Sequence, residues 1–256
     1  MARLLLTLLG SLIFYAVPAA IVTYPAPAHL EPSPHYAITI SQGGEEFPVF
    51  TYQTEAQKPA FNLSESTAYG IFSFEGPIRV KVTCLKRSYR QASILPSSYG
   101  LVGSLQGQSF TFQLDRPRNL AIEFDGDLTH PLLLFANPLE EDVPDPHDPE
   151  VLFFGPGLHQ QTDTIRPQAG QTIYLAGGAI LSAHIHGHDV PDVQIKGRGI
   201  LNGRRFGHSG GRLIHFTGAG SVNLEVEGIT IVDAPGFYLT AEGAAARIRN
   251  VKGLGW

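Results

Sequence analysis

The chain has 256 residues, of which 43% are hydrophobic and 16% are charged, and its formal net charge is -5 at pH 7. This balance excludes a disordered or charge-driven chain, and the length is sufficient for one large domain or two ordinary ones. Lysine and arginine form no basic run. We therefore expect no nucleic-acid partner, because such a partner normally needs a clustered basic surface.

The chain begins with a short apolar run, from Leu4 to Val17, that follows Arg3. Small residues come next, and the run is too short to span a membrane comfortably. This pattern predicts a secretory signal peptide within residues 1–28, cleaved somewhere between residues 19 and 28, with an N-terminal membrane anchor as the alternative. We expect a secreted, extracellular protein that has no stable membrane association after the signal is removed.

Cysteine and glycosylation patterns add two expectations about such a protein. Cys84 is the only cysteine, so no disulfide can form within the chain. Stability must then come from packing and from backbone hydrogen bonds. Asn62 begins an Asn-Leu-Ser sequon and is the candidate glycosylation site.

Residues 29–143 contain short runs in which apolar and polar residues alternate, separated by turn-forming residues. Short runs with a period of two predict the strands of an antiparallel β-sandwich. The runs are Tyr36–Ile40, Gly70–Gly76, Ile78–Cys84, Ser109–Leu114 and Leu120–Phe124. An acidic, proline-rich stretch follows, and we place a linker within it at residues 144–150.

Residues 151–256 repeat a strand pattern about every twenty residues. The copies TIYLAGGAIL, DVQIKGRGIL, NLEVEGITIV and AARIRNVKGL begin at residues 172, 192, 223 and 245. Each has a corner residue that tolerates left-handed backbone angles. These corner residues are Gly177, Gly197, Gly228 and Asn250. The period predicts a solenoid, and a right-handed parallel β-helix fits better than a leucine-rich repeat, whose recurring Leu and Asn positions are absent.

A third short run completes each coil of the predicted helix. These runs are HIHGH, LIHF and FYLT, at residues 184–188, 213–216 and 237–240. If Ile185, Ile214 and Leu239 point inward, strand alternation turns the neighbouring side chains outward, and stacked coils present them along one face. The resulting candidates for a substrate groove are His186, His215, Tyr238 and Thr240.

The segments YLAGGAIL, VQIKGRGILNG and LEVEGITIVDAPGFYL, followed by IRNVKGLGW, resemble the polygalacturonase family of β-helical glycoside hydrolases, which has the pectin lyase fold. An N-terminal β-sandwich before such a helix is similar in architecture to the dextranase and isopullulanase family. The resemblance implies hydrolysis of a polysaccharide, of pectin type or a glucan, with inversion at the anomeric carbon. It also implies that no metal and no organic cofactor is required.

In the polygalacturonase family the catalytic aspartates follow the segment that matches IRNVKGLGW, in an Asn-Thr-Asp-Gly motif and an Asp-Asp pair. The sequence ends at Trp256, so no catalytic residue in this chain can be carried over from the family. The resemblance therefore predicts an incomplete helix, with the catalytic aspartates beyond Trp256. On this interpretation the 256 residues alone are inactive.

Other chemistries remain open for particular residues. The alternation of His184, His186 and His188 could form one face of a metal site, but no Asp, Glu or Cys recurs in register with it, and we assign no metal. Arg204 and Arg205 could bind a uronate carboxylate. The alternative functions are a polysaccharide lyase, which would need a calcium site, and a non-catalytic carbohydrate-binding β-helix.

Overall fold

The computed structural model describes residues 20–58, 63–243 and 245–255. The first eleven strands are β1 (Ala20–Thr23), β2 (Tyr36–Gln42), β3 (Glu45–Val49), β4 (Thr51–Lys58), β5 (Leu63–Glu75), β6 (Ile78–Cys84), β7 (Ala92–Leu95), β8 (Gly103–Gln106), β9 (Ser109–Leu114), β10 (Arg118–Phe124) and β11 (Leu132–Asn137). The helical segments in the described part of the chain are two short 3-10 turns, at Ser97–Tyr99 and Arg204–Phe206. None of the described helical segments is long and apolar enough to span a membrane.

The remaining strands build the second part of the chain. They are β12 (Val151–Phe154), β13 (Gly157–Gln160), β14 (Thr172–Leu175), β15 (Ala179–Ser182), β16 (Ile185–His188), β17 (Gln194–Gly197), β18 (Ile200–Asn202), β19 (Arg212–Thr217), β20 (Leu224–Glu227), β21 (Thr230–Val232), β22 (Phe237–Glu242), β23 (Ala246–Arg249) and β24 (Lys252–Leu254). They form three parallel sheets, in the orders β12-β14-β17-β20-β23, β13-β15-β18-β21-β24 and β16-β19-β22. The predicted all-β class, with a sandwich before a parallel β-helix, is confirmed.

The sandwich consists of two sheets with a shared apolar core. One has the order β3-β2-β6-β9-β8, and the other has the order β1-β5-β11-β10-β7 with β4 also paired to β5. Alternation explains the core: Ile78, Val80 and Val82 on β6 are buried, whereas Arg79 between them is exposed. The sheets are not wholly antiparallel as expected, because β5 and β11 pair in parallel.

The helix differs from the sequence prediction in the number and register of its coils. A first coil, β12 and β13, precedes the four recognised copies. In the first recognised copy the register is shifted by two residues, since Ile173 pairs with Ile195 and Leu175 pairs with Gly197. A two-residue slip leaves the same side chains facing inward, so the apolar pattern could not reveal it.

Three of the predicted corner residues do form one column. Lys196 pairs with Glu227 and Glu227 pairs with Arg249, which places Gly197, Gly228 and Asn250 in successive layers. All three have positive φ angles, as expected because glycine and asparagine tolerate left-handed backbone angles. Gly177 does not belong to this column.

The sandwich and the helix pack directly against each other. An apolar cluster joins the sandwich residues Tyr69 and Phe135 to Ile180, Ile200 and Val232 on the second helix sheet. Thr54 also donates a hydrogen bond of 2.7 Å to the buried carboxylate of Asp233. The proposed linker at residues 144–150 therefore connects two bodies that are already held together by side-chain packing.

The described fold begins within the segment assigned to the signal peptide. Residues Ala20–Thr23 pair with β5, and the hydroxyl groups of Tyr24 and Ser73 lie 2.6 Å apart. The Tyr24 ring also covers Gly177, where an added Cβ would overlap it. The described part of the sandwich thus includes residues that were assigned to the signal peptide, because Ala20–Thr23 complete a sheet edge and Tyr24 forms part of the domain contact.

Candidate functional site

The outward face of β16, β19 and β22 carries a column of polar side chains. His186 pairs with His215, and His215 pairs with Thr240 in the next coil. The intervening residues Ile185 and Ile214 are fully buried in the helix core. The structure therefore brings three of the four sequence candidates onto one face, by the strand alternation that predicted them.

Two histidines are fixed by the same backbone carbonyl. His184 Nδ1 and His186 Nε2 each lie 2.9 Å from the carbonyl oxygen of Arg212. Because a carbonyl only accepts, each of these ring nitrogens donates its proton. Burial is the main cause that lowers the pKa of His186, and the neighbouring His184 and His215 lower it further. A neutral His186 leaves Nδ1 as an acceptor for a ligand hydroxyl.

An ion pair that the sequence candidates did not include lies beside this column. Arg212 Nη2 is 2.9 Å from Glu242 Oε1, and His215 Nε2 is 3.6 Å from the same oxygen. Glu242 pairs with Thr217 and thus shares the outward face with Thr240. No direct sequence signal marks this ion pair, because Arg212 and Glu242 are not partners in the strand pairing, and the contact depends on the reach of the two long side chains.

Three buried atoms of this face have no hydrogen-bond partner among the described residues. They are Arg212 Nε, His215 Nε2 and Thr240 Oγ1. Buried polar atoms are rarely left unpaired in folded proteins, so each one needs an explanation. The partly exposed side chains of Arg212, His215 and Glu242 place donors and acceptors beside these atoms, so the face is suited to binding a ligand rich in hydroxyl groups.

Tyr238, the fourth candidate, is placed differently from the prediction. Its ring packs against the helix core cluster, and a Cβ added at Gly253 would lie 3.5 Å from it. Gly253 pairs with the fully buried Ile231. The ring is therefore directed into the end of the helix, because an aromatic side chain fills the interior of this coil better than the outer face.

The other sequence candidates lie at the border of the face. His188 contacts Thr217 at 2.8 Å and Asp189 at 3.2 Å. The loop after β18 covers the opposite end, where the Phe206 ring lies 4.0 Å from the His184 ring. Arg205 stacks on Phe206, with its guanidinium carbon 5.1 Å from the ring centre. Arg204 begins the same turn, with its backbone N–H bonded to the Asn202 side chain.

Two sequence expectations concern a glycosylation site and a metal site. Asn62, the candidate glycosylation site, lies outside the described residues. In the described part of the chain, no group of three or more His, Cys, Asp or Glu side chains has an arrangement that could hold a metal ion. The assignment of no metal and no cofactor stays a prediction.

Comparison with known proteins relates the fold to a solved structure. No family model and no curated protein matches the sequence. The chain is similar to Dex49A, a dextranase from Penicillium minioluteum, with a TM-score of 0.71 over 90% of this chain and 17% sequence identity. The match covers 60% of the Dex49A chain. This likeness shows the shared fold and confirms the architecture expected from the resemblance.

A second solved structure matches a smaller part of the chain. It is a candidate glycosyl hydrolase from Parabacteroides merdae ATCC 43184, 20% identical, with a TM-score of 0.33. The match covers 41% of this chain and 58% of that one. A score this low carries no argument about fold or site.

Proposed function

We propose that this chain is part of a secreted, polysaccharide-degrading glycoside hydrolase of the polygalacturonase-like type. The observation that carries the proposal is the outward column His186, His215 and Thr240, beside the Arg212–Glu242 pair. Parallel strands hold such groups at steps of about 4.8 Å along a rigid face, which suits the successive sugar units of a chain. The shared fold with the dextranase Dex49A supports this assignment.

The reaction proposed is hydrolysis of a glycosidic bond with inversion. One carboxylic acid protonates the leaving oxygen, and a carboxylate about 6.5–9.5 Å away activates water on the opposite side of the sugar. On this face Glu242 is held by Arg212. We propose that it positions sugar hydroxyls, and that the catalytic aspartates lie on coils beyond Trp256. The substrate is a pectin-type polysaccharide or a glucan.

We expect residues 20–256 to release no reducing sugar from polygalacturonate, dextran, pullulan or xylogalacturonan. The reason is that His188 and Thr217, the described residues in register with Glu242, supply no second carboxylate. Reducing-sugar assays on the wild type and on Glu242→Gln measure this directly. Asp115→Asn is the matched control, because Asp115 also contacts an arginine but lies on the surface of the sandwich. Turnover that disappears only in Glu242→Gln would place the active site in this chain and contradict the proposal.

Secretion is the second part of the proposed function, and we expect the mature protein to begin at Ala20. Cleavage there leaves β1 intact, so that Ala20–Thr23 can pair with β5 and Tyr24 can contact Ser73. Amino-terminal sequencing of protein from the culture medium measures the cleavage position. A mature chain that begins after Tyr24 would lack β1 and would contradict this assignment, as would a full-length chain held in the membrane fraction.

A further inference from the structure

A cavity of about 560 Å³ lies on a different side of the helix from the histidine column. Its walls are the segment Pro138–Asp142, which follows β11, and the outer faces of β17, β20 and β23. Its volume falls within the range of about 300–1,000 Å³ that is typical of small-molecule sites. This cavity plays no part in the function proposed for the other sheet.

The sheet side of the cavity presents donors and acceptors in fixed layers. Pairing of the strands sets Gln194, Glu225 and Arg247 in one column, and Lys196, Glu227 and Arg249 in the next. The Arg247–Glu225 and Arg249–Glu227 contacts are 2.8 and 2.6 Å. Gln194 and Lys196 stand in the layer above these ion pairs, at the steps of about 4.8 Å that parallel strands impose.

The opposite wall of the cavity, the segment Pro138–Asp142, is bonded to two largely buried side chains of the helix, Arg198 and Tyr174. Arg198 is 5% exposed and donates a hydrogen bond of 3.2 Å to the carbonyl oxygen of Pro138. Its Nε atom is buried without a hydrogen-bond acceptor in the described ranges. Tyr174 donates to Glu140 at 3.1 Å, and burial raises the pKa of Glu140. These buried contacts fix the Pro138–Asp142 segment against the helix and so set the shape of the cavity.

The charges of the lining residues select the class of ligand. Five carboxylate residues and three cationic residues line the cavity, with both signs interspersed. A polyanion such as polygalacturonate would meet an excess of carboxylates, whose repulsion disfavours it. A neutral sugar can donate hydroxyl protons to the carboxylates and accept from Lys196 and the exposed Arg249, so it satisfies both kinds of group.

We propose that this cavity is a second carbohydrate-binding site, which takes a short neutral oligosaccharide through its hydroxyl groups. It would hold a polysaccharide chain on the back of the helix while another part of that chain occupies the histidine face. The proposal goes beyond the proposed function, because binding here requires no hydrolysis and no residue of the β16-β19-β22 sheet.

The test is isothermal titration calorimetry of the full chain with isomaltotriose and, separately, with trigalacturonate. The background variant carries His215→Ala and Thr240→Ala, so that binding at the histidine face does not contribute. Adding Lys196→Ala and Gln194→Ala should weaken isomaltotriose binding at least about tenfold, since each substitution removes a polar group that contacts the sugar. Lys81→Ala, on an exposed lysine of the sandwich, is the matched control and should change nothing.

Three outcomes would overturn the proposal. They are absence of isomaltotriose binding in the background variant, unchanged affinity after Lys196→Ala and Gln194→Ala, and tighter binding of trigalacturonate than of isomaltotriose. Thermal melting of each variant shows whether it is folded. Arg198 is not substituted, because its bond to Pro138 fixes the wall of the cavity. Failure here leaves the hydrolase proposal untouched, since that proposal depends on a different sheet.

Discussion

Replacing Gly197 with alanine is expected to destabilise the helix by more than about 4 kcal/mol. Gly197 has a φ of +126°, and a Cβ added there would overlap the carbonyl oxygen of Leu175 in the coil above. That oxygen accepts hydrogen bonds from Arg198 N and Gly199 N, at 3.0 and 2.9 Å. The methyl group would therefore strain the backbone and break two bonds at the same corner.

Chemical denaturation followed by circular dichroism measures this loss of unfolding free energy. Gly170→Ala is the matched control, because Gly170 also has a positive φ, of +77°, but nothing lies within 4 Å of its added Cβ. The control should lose only about 1–2 kcal/mol, from the left-handed backbone alone. Equal losses in the two variants would mean that the coils are not stacked in the register described.

The second large effect is a rise in stability with pH that depends on Lys252. This lysine is 5% exposed at the contact between helix and sandwich, and it donates to Asn137 Oδ1 at 2.7 Å and to the Gly228 carbonyl at 2.8 Å. Burial, reinforced by Arg198, lowers its pKa to about 7, although Glu140 opposes the shift. The unfolded chain keeps an ordinary lysine pKa of about 10.4.

The direction of this change in stability with pH follows from the number of protons bound in the folded and unfolded states. Above pH 7 the folded protein loses this proton while the unfolded chain keeps it, so the free energy of unfolding rises until about pH 10. Lys252 should contribute a rise of about 2 kcal/mol between pH 7 and pH 9. Below pH 7 both states are protonated, and the full cost of burying the charge is present.

Denaturation of the wild type and of Lys252→Met at pH 6, 7, 8 and 9 measures this contribution. The difference in the free energy of unfolding between the two proteins should change by about 2 kcal/mol between pH 7 and pH 9. Histidine titrations contribute equally to both proteins and cancel in this difference. Lys81→Met, on the sandwich surface, serves as the control and should show no such change. A difference that stays constant with pH would show that Lys252 is charged in the folded protein.

Strand alternation was enough to predict much of the fold. Ile78–Cys84 and Ser109–Leu114 are strands with the predicted bounds, because each has one apolar face and turn residues at both ends. The strand at Ala20–Thr23 was missed because its apolar residues continue the run of the predicted signal peptide. The first coil was missed because β12 and β13 are short and lack the recurring corner pattern.

The candidate site could be predicted only where one strand's alternation decides the direction of a side chain. That rule placed His186, His215 and Thr240 on one face. It failed for Tyr238, which fills the interior of the last described complete coil. The contact of Arg212 with Glu242 joins two neighbouring coils at positions that do not pair directly, so it depends on how the coils stack and on the conformations of two long side chains.

The central claim is that a polysaccharide lies along the outward face of β16, β19 and β22. Hydroxyl-radical footprinting of the full chain, with and without an excess of isomaltotriose or trigalacturonate, maps the sugar directly. We expect at least one of these sugars to protect His186 and His215, while the surface Tyr99 on the sandwich stays equally reactive. Unchanged reactivity of both histidines with every sugar would contradict the account.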